Sequence, residues 1–179
     1  MGEEFTFNNV RRVVQAIANY FKQRFDGQNI SLVVGYDTRF LSERFAQEAA
    51  CLLSRNKIHV YLTERDCPSQ ALAYQIIRGG QSGGINFTAS FNPPKFNGLK
   101  FNVETGAPAL PEVTDLIEKE VERIRAEEVI PRYYPDSSYI HPVDLQSGYL
   151  EFLQKKVDFE VIKKSGIKIG IDLLFGTSR

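Results

Sequence analysis

Residues 84–103 have the sequence Gly84-Ile-Asn-Phe-Thr-Ala-Ser-Phe-Asn-Pro-Pro-Lys-Phe-Asn-Gly-Leu-Lys-Phe-Asn-Val103. Two runs suited to β-strands, 84–88 and 98–103, flank a loop at 89–97 that contains adjacent prolines. Because so short a loop cannot form the crossover that joins parallel strands, we expect the second strand to return antiparallel to the first. This stretch therefore predicts one antiparallel edge in the sheet.

The sequence before this stretch alternates between helical and strand patterns. Short β-branched runs at 30–35 and 58–62 predict two strands, and apolar residues at helical spacing predict a helix before each of the first three strands. A further helix is predicted from Pro111, since proline is common in the first turn of a helix. This order predicts a three-layer α/β/α domain with a mixed, mostly parallel sheet of four strands.

The composition changes at residues 130–143, which contain three prolines and three tyrosines and resemble a linker. After it, residues 145–157 have the pattern of a helix and residues 167–172 that of a strand. We therefore predict a first domain at 1–140. Residues 141–179 are predicted to be a linker and the opening helix and strand of a second, similar domain.

The overall composition excludes several classes of protein. Lys plus Arg and Asp plus Glu both number 22, so there is no basic excess for binding nucleic acid. No apolar run approaches the roughly 20 residues that cross a bilayer, and the acidic N-terminus lacks the features of a signal peptide. Two cysteines cannot form a disulfide framework, so a reducing cytoplasm is the expected location.

Ser90 is the candidate for chemistry in the loop. It follows the third predicted strand and should lie at the carboxyl edge of the sheet, where open α/β folds bind ligands. A proline-stiffened loop with free backbone N–H groups can hold an oxyanion, and Lys100 can return beside Ser90 if the loop is compact. The residues alone leave an alternative open, a stiff turn in which Ser90 only caps backbone groups.

Three other residues are expected to hold or supplement this loop. Arg39 follows the first strand in Asp37-Thr38-Arg39, where it either braces the serine loop or contacts phosphate, and an ion pair with Asp37 is the favoured interpretation. Asn92 and Asn97 are expected to hold the loop through side-chain hydrogen bonds.

Residues 88–100 resemble the phosphoserine loop of the α-D-phosphohexomutases, the phosphoglucomutase/phosphomannomutase family. Residues 4–18, 34–39 and 169–178 resemble that family's first helix, the end of its first strand, and the first strand of its second domain. One position departs from the motif, since Phe91 stands where the family usually has histidine. The arginine-containing segment that normally precedes the family's first helix is also missing from this sequence.

The resemblance implies an enzyme that interconverts hexose 1-phosphate and hexose 6-phosphate through a hexose 1,6-bisphosphate. Ser90 would carry the phosphoryl group and bind Mg²⁺ through it. Lys100 would assist proton transfer or steer the transferring oxygens, and the alternative for Lys100 is a solvated lysine on a strand. The family's magnesium, sugar and distal phosphate motifs belong to other domains of the same polypeptide, so this chain is expected to be an inactive fragment. A second hypothesis remains, a non-catalytic α/β module that binds anions or partners.

Overall fold

The structure, a computed structural model, describes residues 5–124 and 130–178. Its helices are α1 (Phe7–Arg24), α2 (Ser42–Arg55), α3 (Ser69–Gly79), α4 (Pro111–Arg123), α5 (Leu145–Lys156) and α6 (Phe159–Lys164), with a short 3₁₀ helix at Ser137–Tyr139. Its strands are β1 (Ser31–Tyr36), β2 (His59–Thr63), β3 (Gly83–Phe87), β4 (Leu99–Val103) and β5 (Ile140–Val143).

The strands form one sheet in the order β4-β3-β1-β2-β5. Strands β3, β1, β2 and β5, which are neighbours in this order, run parallel. Strand β4 pairs antiparallel with β3, as the short loop predicts. The predicted α/β class is confirmed, but the sheet has five strands and not four. The fifth, β5, lies in the stretch that was interpreted as a linker.

The missed strand has a simple physical explanation. It is only four residues long, Ile-His-Pro-Val, and so shows too little alternation to be distinguished from a loop. Its proline is tolerated because β5 lies at the edge of the sheet, where a backbone N–H can be dispensed with. The proposed domain boundary after residue 140 falls at the start of β5 and stays a prediction.

Helices cover both faces of the sheet and create two hydrophobic clusters. Helices α1, α2 and α4 pack on one face around fully buried side chains such as Phe21, Phe45 and Phe87. Helices α3 and α5 pack on the other face, where Leu72 and Leu145 meet Val33 of the central strand. The central strand is therefore buried on both faces, which explains the apolar run Leu32-Val33-Val34 in its middle.

The C-terminal segment differs from its prediction. Within the described residues, 167–172 pair with no strand, and Ile167, Ile169 and Ile171 are largely exposed. Their alternating pattern suits a strand, but a strand forms only where a neighbour supplies hydrogen bonds.

In residues 5–124 and 130–178, no helix combines the length and the apolar character required to cross a membrane.

Candidate active site

The site lies at the carboxyl edge of the two adjacent strands β1 and β3. Tyr36 and Phe87 end these strands as a register pair, so the residues that follow, Asp37 and Thr88, are neighbours. The main-chain N–H of Asp37 donates to the carbonyl of Phe87 at 3.1 Å, and the Thr88 hydroxyl donates to Asp37 Oδ2 at 2.6 Å. The sheet register thus positions the first polar groups of the site.

The Asp37 carboxylate connects β1, β3 and the start of α2. Its Oδ1 accepts hydrogen bonds from the Arg39 main-chain N–H at 2.9 Å and from the Ser42 hydroxyl at 3.1 Å. Its Oδ2 accepts from Arg39 Nε at 3.1 Å as well as from Thr88. With both oxygens engaged twice, this carboxylate is a structural anchor.

The Arg39 guanidinium holds the serine loop. Besides its ion pair with Asp37, its two terminal nitrogens donate at 2.7–3.1 Å to four main-chain carbonyls, those of Ser90, Asn92, Pro93 and Phe96. A guanidinium has five N–H donors, and these contacts use all five. In this conformation Arg39 therefore braces the loop and has no donor left for a phosphate, which matches the first of its two predicted roles.

Ser90 is an exposed residue near the start of the braced loop. Its backbone has φ of 57°, a left-handed conformation that is unfavourable for a residue other than glycine. The Thr88 hydroxyl oxygen accepts a hydrogen bond from the Ser90 N–H at 3.0 Å, and the Ser90 carbonyl is bound by Arg39. These contacts hold the strained backbone of an exposed serine, and strained residues of this kind cluster at functional sites.

The two predicted loop asparagines act in different ways. The Asn97 side chain donates to the Ser42 hydroxyl oxygen at 2.9 Å and to the Phe40 carbonyl at 3.2 Å. Asn92 contributes its main chain, since its N–H donates to the Ala89 carbonyl at 3.1 Å and its own carbonyl accepts from Arg39. The Asn92 side chain is exposed, and its predicted side-chain hydrogen bond to the loop stays a prediction.

A pocket of about 500 Å³ opens beside Ser90. Strand ends, the start of α3, the serine loop and the C-terminal segment line it: Asp37, Thr38, Arg39, Phe40, Cys67, Ser69, Asn86, Thr88, Ser90, Asn92, Pro94, Phe175, Gly176 and Thr177. The C-terminal segment reaches this wall because the Thr38 hydroxyl donates to the Phe175 carbonyl. The dimensions of the pocket suit a small organic ligand.

Lys100 lies close to this pocket but outside its lining. Lys100 lies on β4, where it is the register partner of Asn86 on β3. Side chains paired across antiparallel strands share one face of the sheet. Lys100 lines a neighbouring cleft of about 710 Å³, and Ser69 lines both cavities. Lys100 is not among the described residues that line the Ser90 pocket, so its predicted proximity to the serine stays a prediction.

The sequence did not single out three of the lining residues: Cys67, Ser69 and Asn86. Asn86 carried a detectable signal, because it is a polar residue in the middle of a strand that is otherwise apolar and fully buried. Cys67 is buried, and burial raises the pKa of its thiol to about 11. At neutral pH this thiol is therefore protonated and is a poor nucleophile.

The described residues contain no group of three or more His, Cys, Asp or Glu side chains that could hold a metal ion. The carboxylate next to the serine loop, Asp37, already accepts four hydrogen bonds. Mg²⁺ prefers oxygen ligands, and Ser90 is among the pocket residues whose side chains carry oxygen.

The proteins similar to this chain include two phosphoglucomutases and a protein of known crystal structure. A phosphoglucomutase from Staphylococcus saprophyticus is 33% identical over 115 residues, or 64% of this chain and 20% of the relative. A phosphoglucomutase from Staphylococcus aureus is 28% identical over 173 residues, or 94% of this chain and 31% of the relative. A crystal structure from Thermus thermophilus, assigned as a phosphomannomutase, superposes with a TM-score of 0.80 at 29% identity and covers 90% of this chain and 34% of its own.

This chain thus spans between a fifth and a third of the length of the curated relatives. Residues 1–128 match the family described as phosphoglucomutase/phosphomannomutase, alpha/beta/alpha domain I. That match takes in the strands β1 to β4 and the serine loop described above. The chain therefore belongs to the phosphoglucomutase/phosphomannomutase family, of which it carries domain I.

Proposed function

We propose that this chain is the phosphoryl-carrying domain of an enzyme that interconverts hexose 1-phosphate and hexose 6-phosphate. The observation that carries the proposal is Ser90, an exposed residue of a loop braced by Arg39, which lines a pocket of about 500 Å³. Rigid placement matters because phosphoryl transfer depends chiefly on positioning and charge stabilisation.

In the proposed reaction, Ser90 holds the phosphoryl group in the resting enzyme. The bond between Ser90 Oγ and phosphorus breaks as a bond forms from a hydroxyl oxygen of the hexose phosphate to the same phosphorus. The proton of that hydroxyl passes to a general base, and Ser90 Oγ takes up a proton as it leaves, which restores the serine hydroxyl. The product is a hexose 1,6-bisphosphate, which returns its other phosphoryl group to Ser90. Lys100 is the proposed acid–base or steering group, and the exposed Asn92 side chain a proposed contact to the transferred oxygens.

Mg²⁺ is the proposed cofactor, and the phosphorylated Ser90 is the ligand that this chain would contribute. When bound, the ion neutralises part of the phosphoryl charge. The remaining ligands and the hexose-selective contacts are proposed to come from further domains of the same polypeptide. The side chain of Phe91, which is 96% exposed next to Ser90, provides neither a proton nor a hydrogen bond to phosphate, so proton transfer falls to other groups.

Mass spectrometry tests the proposal. A longer polypeptide that contains this chain is incubated with glucose 1,6-bisphosphate and Mg²⁺, and its intact mass and peptide map are measured. We expect one added phosphoryl group, located on Ser90, and its loss in Ser90→Ala. The matched control, Ser165→Ala, replaces an exposed serine far along the chain and should be phosphorylated normally. An unmodified Ser90 would instead favour a non-catalytic anion-binding or interaction module.

A further inference from the structure

We propose that Asn86 and Ser69 form a hydroxyl-binding subsite in the Ser90 pocket, which takes a ring hydroxyl of a phosphorylated sugar. This inference rests on the proposed function, since it concerns the same pocket. It assigns ligand recognition to two side chains that take no part in bracing the serine loop. Both line the pocket together with Ser90.

Asn86 is a buried amide with an unused hydrogen-bonding atom. Its side chain is 1% exposed, and its Nδ2 donates to the Ser69 hydroxyl oxygen at 2.9 Å. Its Oδ1 is buried and has no hydrogen-bond partner among the described residues. Buried amide groups are nearly always satisfied by protein or by ordered water, so the unpaired Oδ1 of this pocket-lining residue marks a place for a water molecule or for a ligand hydroxyl that replaces it.

The pair offers one acceptor and one donor. Asn86 Oδ1 is the acceptor, and Ser69 retains its own hydroxyl hydrogen because it only accepts from Asn86. A sugar hydroxyl supplies the complementary donor and acceptor in a single group. An ionised phosphate has acceptor oxygens alone and would meet Asn86 Oδ1 unfavourably, so the chemistry favours a hydroxyl.

A hydroxyl suits either orientation of the Asn86 amide, whereas phosphate is disfavoured only with Nδ2 bonded to Ser69 and Oδ1 free. Turning the Asn86 amide over would pair Oδ1 with the Ser69 hydroxyl and leave Nδ2 unpaired. A hydroxyl can satisfy either free atom because it both donates and accepts. Ser69 also begins α3, so the subsite is built on a helix start and a central-sheet strand and not on a loop.

The subsite can be tested in the 179-residue chain by nuclear magnetic resonance. The side-chain NH₂ signal of Asn86, identified by its loss in Asn86→Leu, is followed during titration with glucose 1-phosphate and, separately, with inorganic phosphate. We expect a saturable shift of this signal with glucose 1-phosphate and none with inorganic phosphate. Ser69→Ala should weaken glucose 1-phosphate binding by about 3- to 10-fold, the effect of one lost hydrogen bond.

Ser82→Ala is the matched control for Ser69→Ala. Ser82 precedes β3 at the end remote from the pocket, and its hydroxyl oxygen accepts from the Ser31 N–H at 3.3 Å. The Ser82→Ala substitution should leave the affinity for glucose 1-phosphate unchanged. Because Ser69 begins a helix and is only half-buried, Ser69→Ala tests the proposal even if Asn86→Leu fails to fold.

Three outcomes would overturn the subsite: no shift of the Asn86 signal with glucose 1-phosphate, an equal shift with inorganic phosphate, or an unchanged affinity in Ser69→Ala. Phosphorylation of Ser90, measured by mass, decides the proposed function separately. A phosphorylated Ser90 with an unresponsive Asn86 overturns the subsite alone. An Asn86 response without any phosphorylation of Ser90 overturns the phosphoryl-transfer proposal and supports the subsite as a sugar-phosphate binding site.

Discussion

The serine loop, residues 89–98, and the C-terminal segment, residues 165–178, are both exposed, yet they are held very differently. At the tip of the loop Phe91 is 96% exposed, and in the C-terminal segment Phe175 is 89% exposed. Neither segment is fixed by a hydrophobic core of its own. The loop has a dense set of polar contacts, whereas the C-terminal segment has an apolar strand pattern without a neighbouring strand.

The difference shows that a single charged side chain can supply the hydrogen bonds that backbone carbonyls of a loop need, as a neighbouring strand does within a sheet. Arg39 satisfies four carbonyls of the serine loop, and its own charge is balanced by Asp37. In the C-terminal segment, the alternating isoleucines would need a neighbouring strand to satisfy their backbone groups. Placement of Ser90 therefore depends on polar geometry and not on apolar burial.

Loss of the guanidinium is the largest expected effect and the strongest test of this comparison. Arg39→Met keeps the length of the side chain but removes its five N–H donors and leaves the Asp37 carboxylate, only 15% exposed, without its cation. We expect the free energy of unfolding in urea to fall by about 2–3 kcal/mol, since hydrogen bonds to charged groups contribute more than neutral ones. Amide exchange at Asn92 and Phe96 should also accelerate.

Arg44→Met is the control for Arg39→Met. Arg44 is exposed on α2 and donates only a long hydrogen bond of 3.3 Å to Gln47. Its replacement should change the free energy of unfolding by less than about 0.5 kcal/mol. If Arg39→Met and Arg44→Met were equally mild, the loop would have to be held by something other than the guanidinium.

Removal of the Thr88 hydroxyl should have a smaller effect on the same loop. Thr88→Val has nearly the same shape but loses the 2.6 Å hydrogen bond to Asp37 and the acceptor for the Ser90 N–H. We expect a loss of about 1–2 kcal/mol of unfolding free energy in thermal or urea denaturation. Thr114→Val, which removes an exposed helical hydroxyl bonded to the Pro111 carbonyl, should be close to neutral, and a larger loss there would contradict this account.

Backbone strain at Ser90 gives an effect of opposite sign. Since φ is 57°, glycine should be favoured over any residue with a Cβ. We expect Ser90→Gly to be more stable than Ser90→Ala by about 1 kcal/mol, although neither can carry a phosphoryl group. Paired urea titrations measure this difference. A more stable Ser90→Ala would mean that the loop adopts another backbone conformation in solution.

The sequence predicted the elements whose signals are local. The β-branched run at 30–35 and the proline-stiffened turn around Ser90 are each specified by neighbouring residues. The sequence therefore predicted the parallel core, the antiparallel β4 and the position of Ser90 at the carboxyl edge of the sheet. The five donors of Arg39 could not be assigned beforehand because their acceptors are carbonyls up to 57 residues away along the chain. The strand at Ile140–Val143 was missed for the opposite reason, since its local pattern is too short.

The smallest expected effect concerns the C-terminal segment. Ile169 and Ile171 are 65% and 78% exposed, so replacing both with threonine removes little buried apolar surface, and the unfolding free energy in urea should change by less than about 0.5 kcal/mol. Ile85→Thr is the matched control, because the same change at a fully buried position of β3 should cost about 2–4 kcal/mol.

Sedimentation velocity should show less self-association in the double variant, since exposed alternating isoleucines offer an edge for pairing. If the double variant lost more than about 1 kcal/mol, those isoleucines would have to be packed in a core in solution, and the contrast between the two segments would fail.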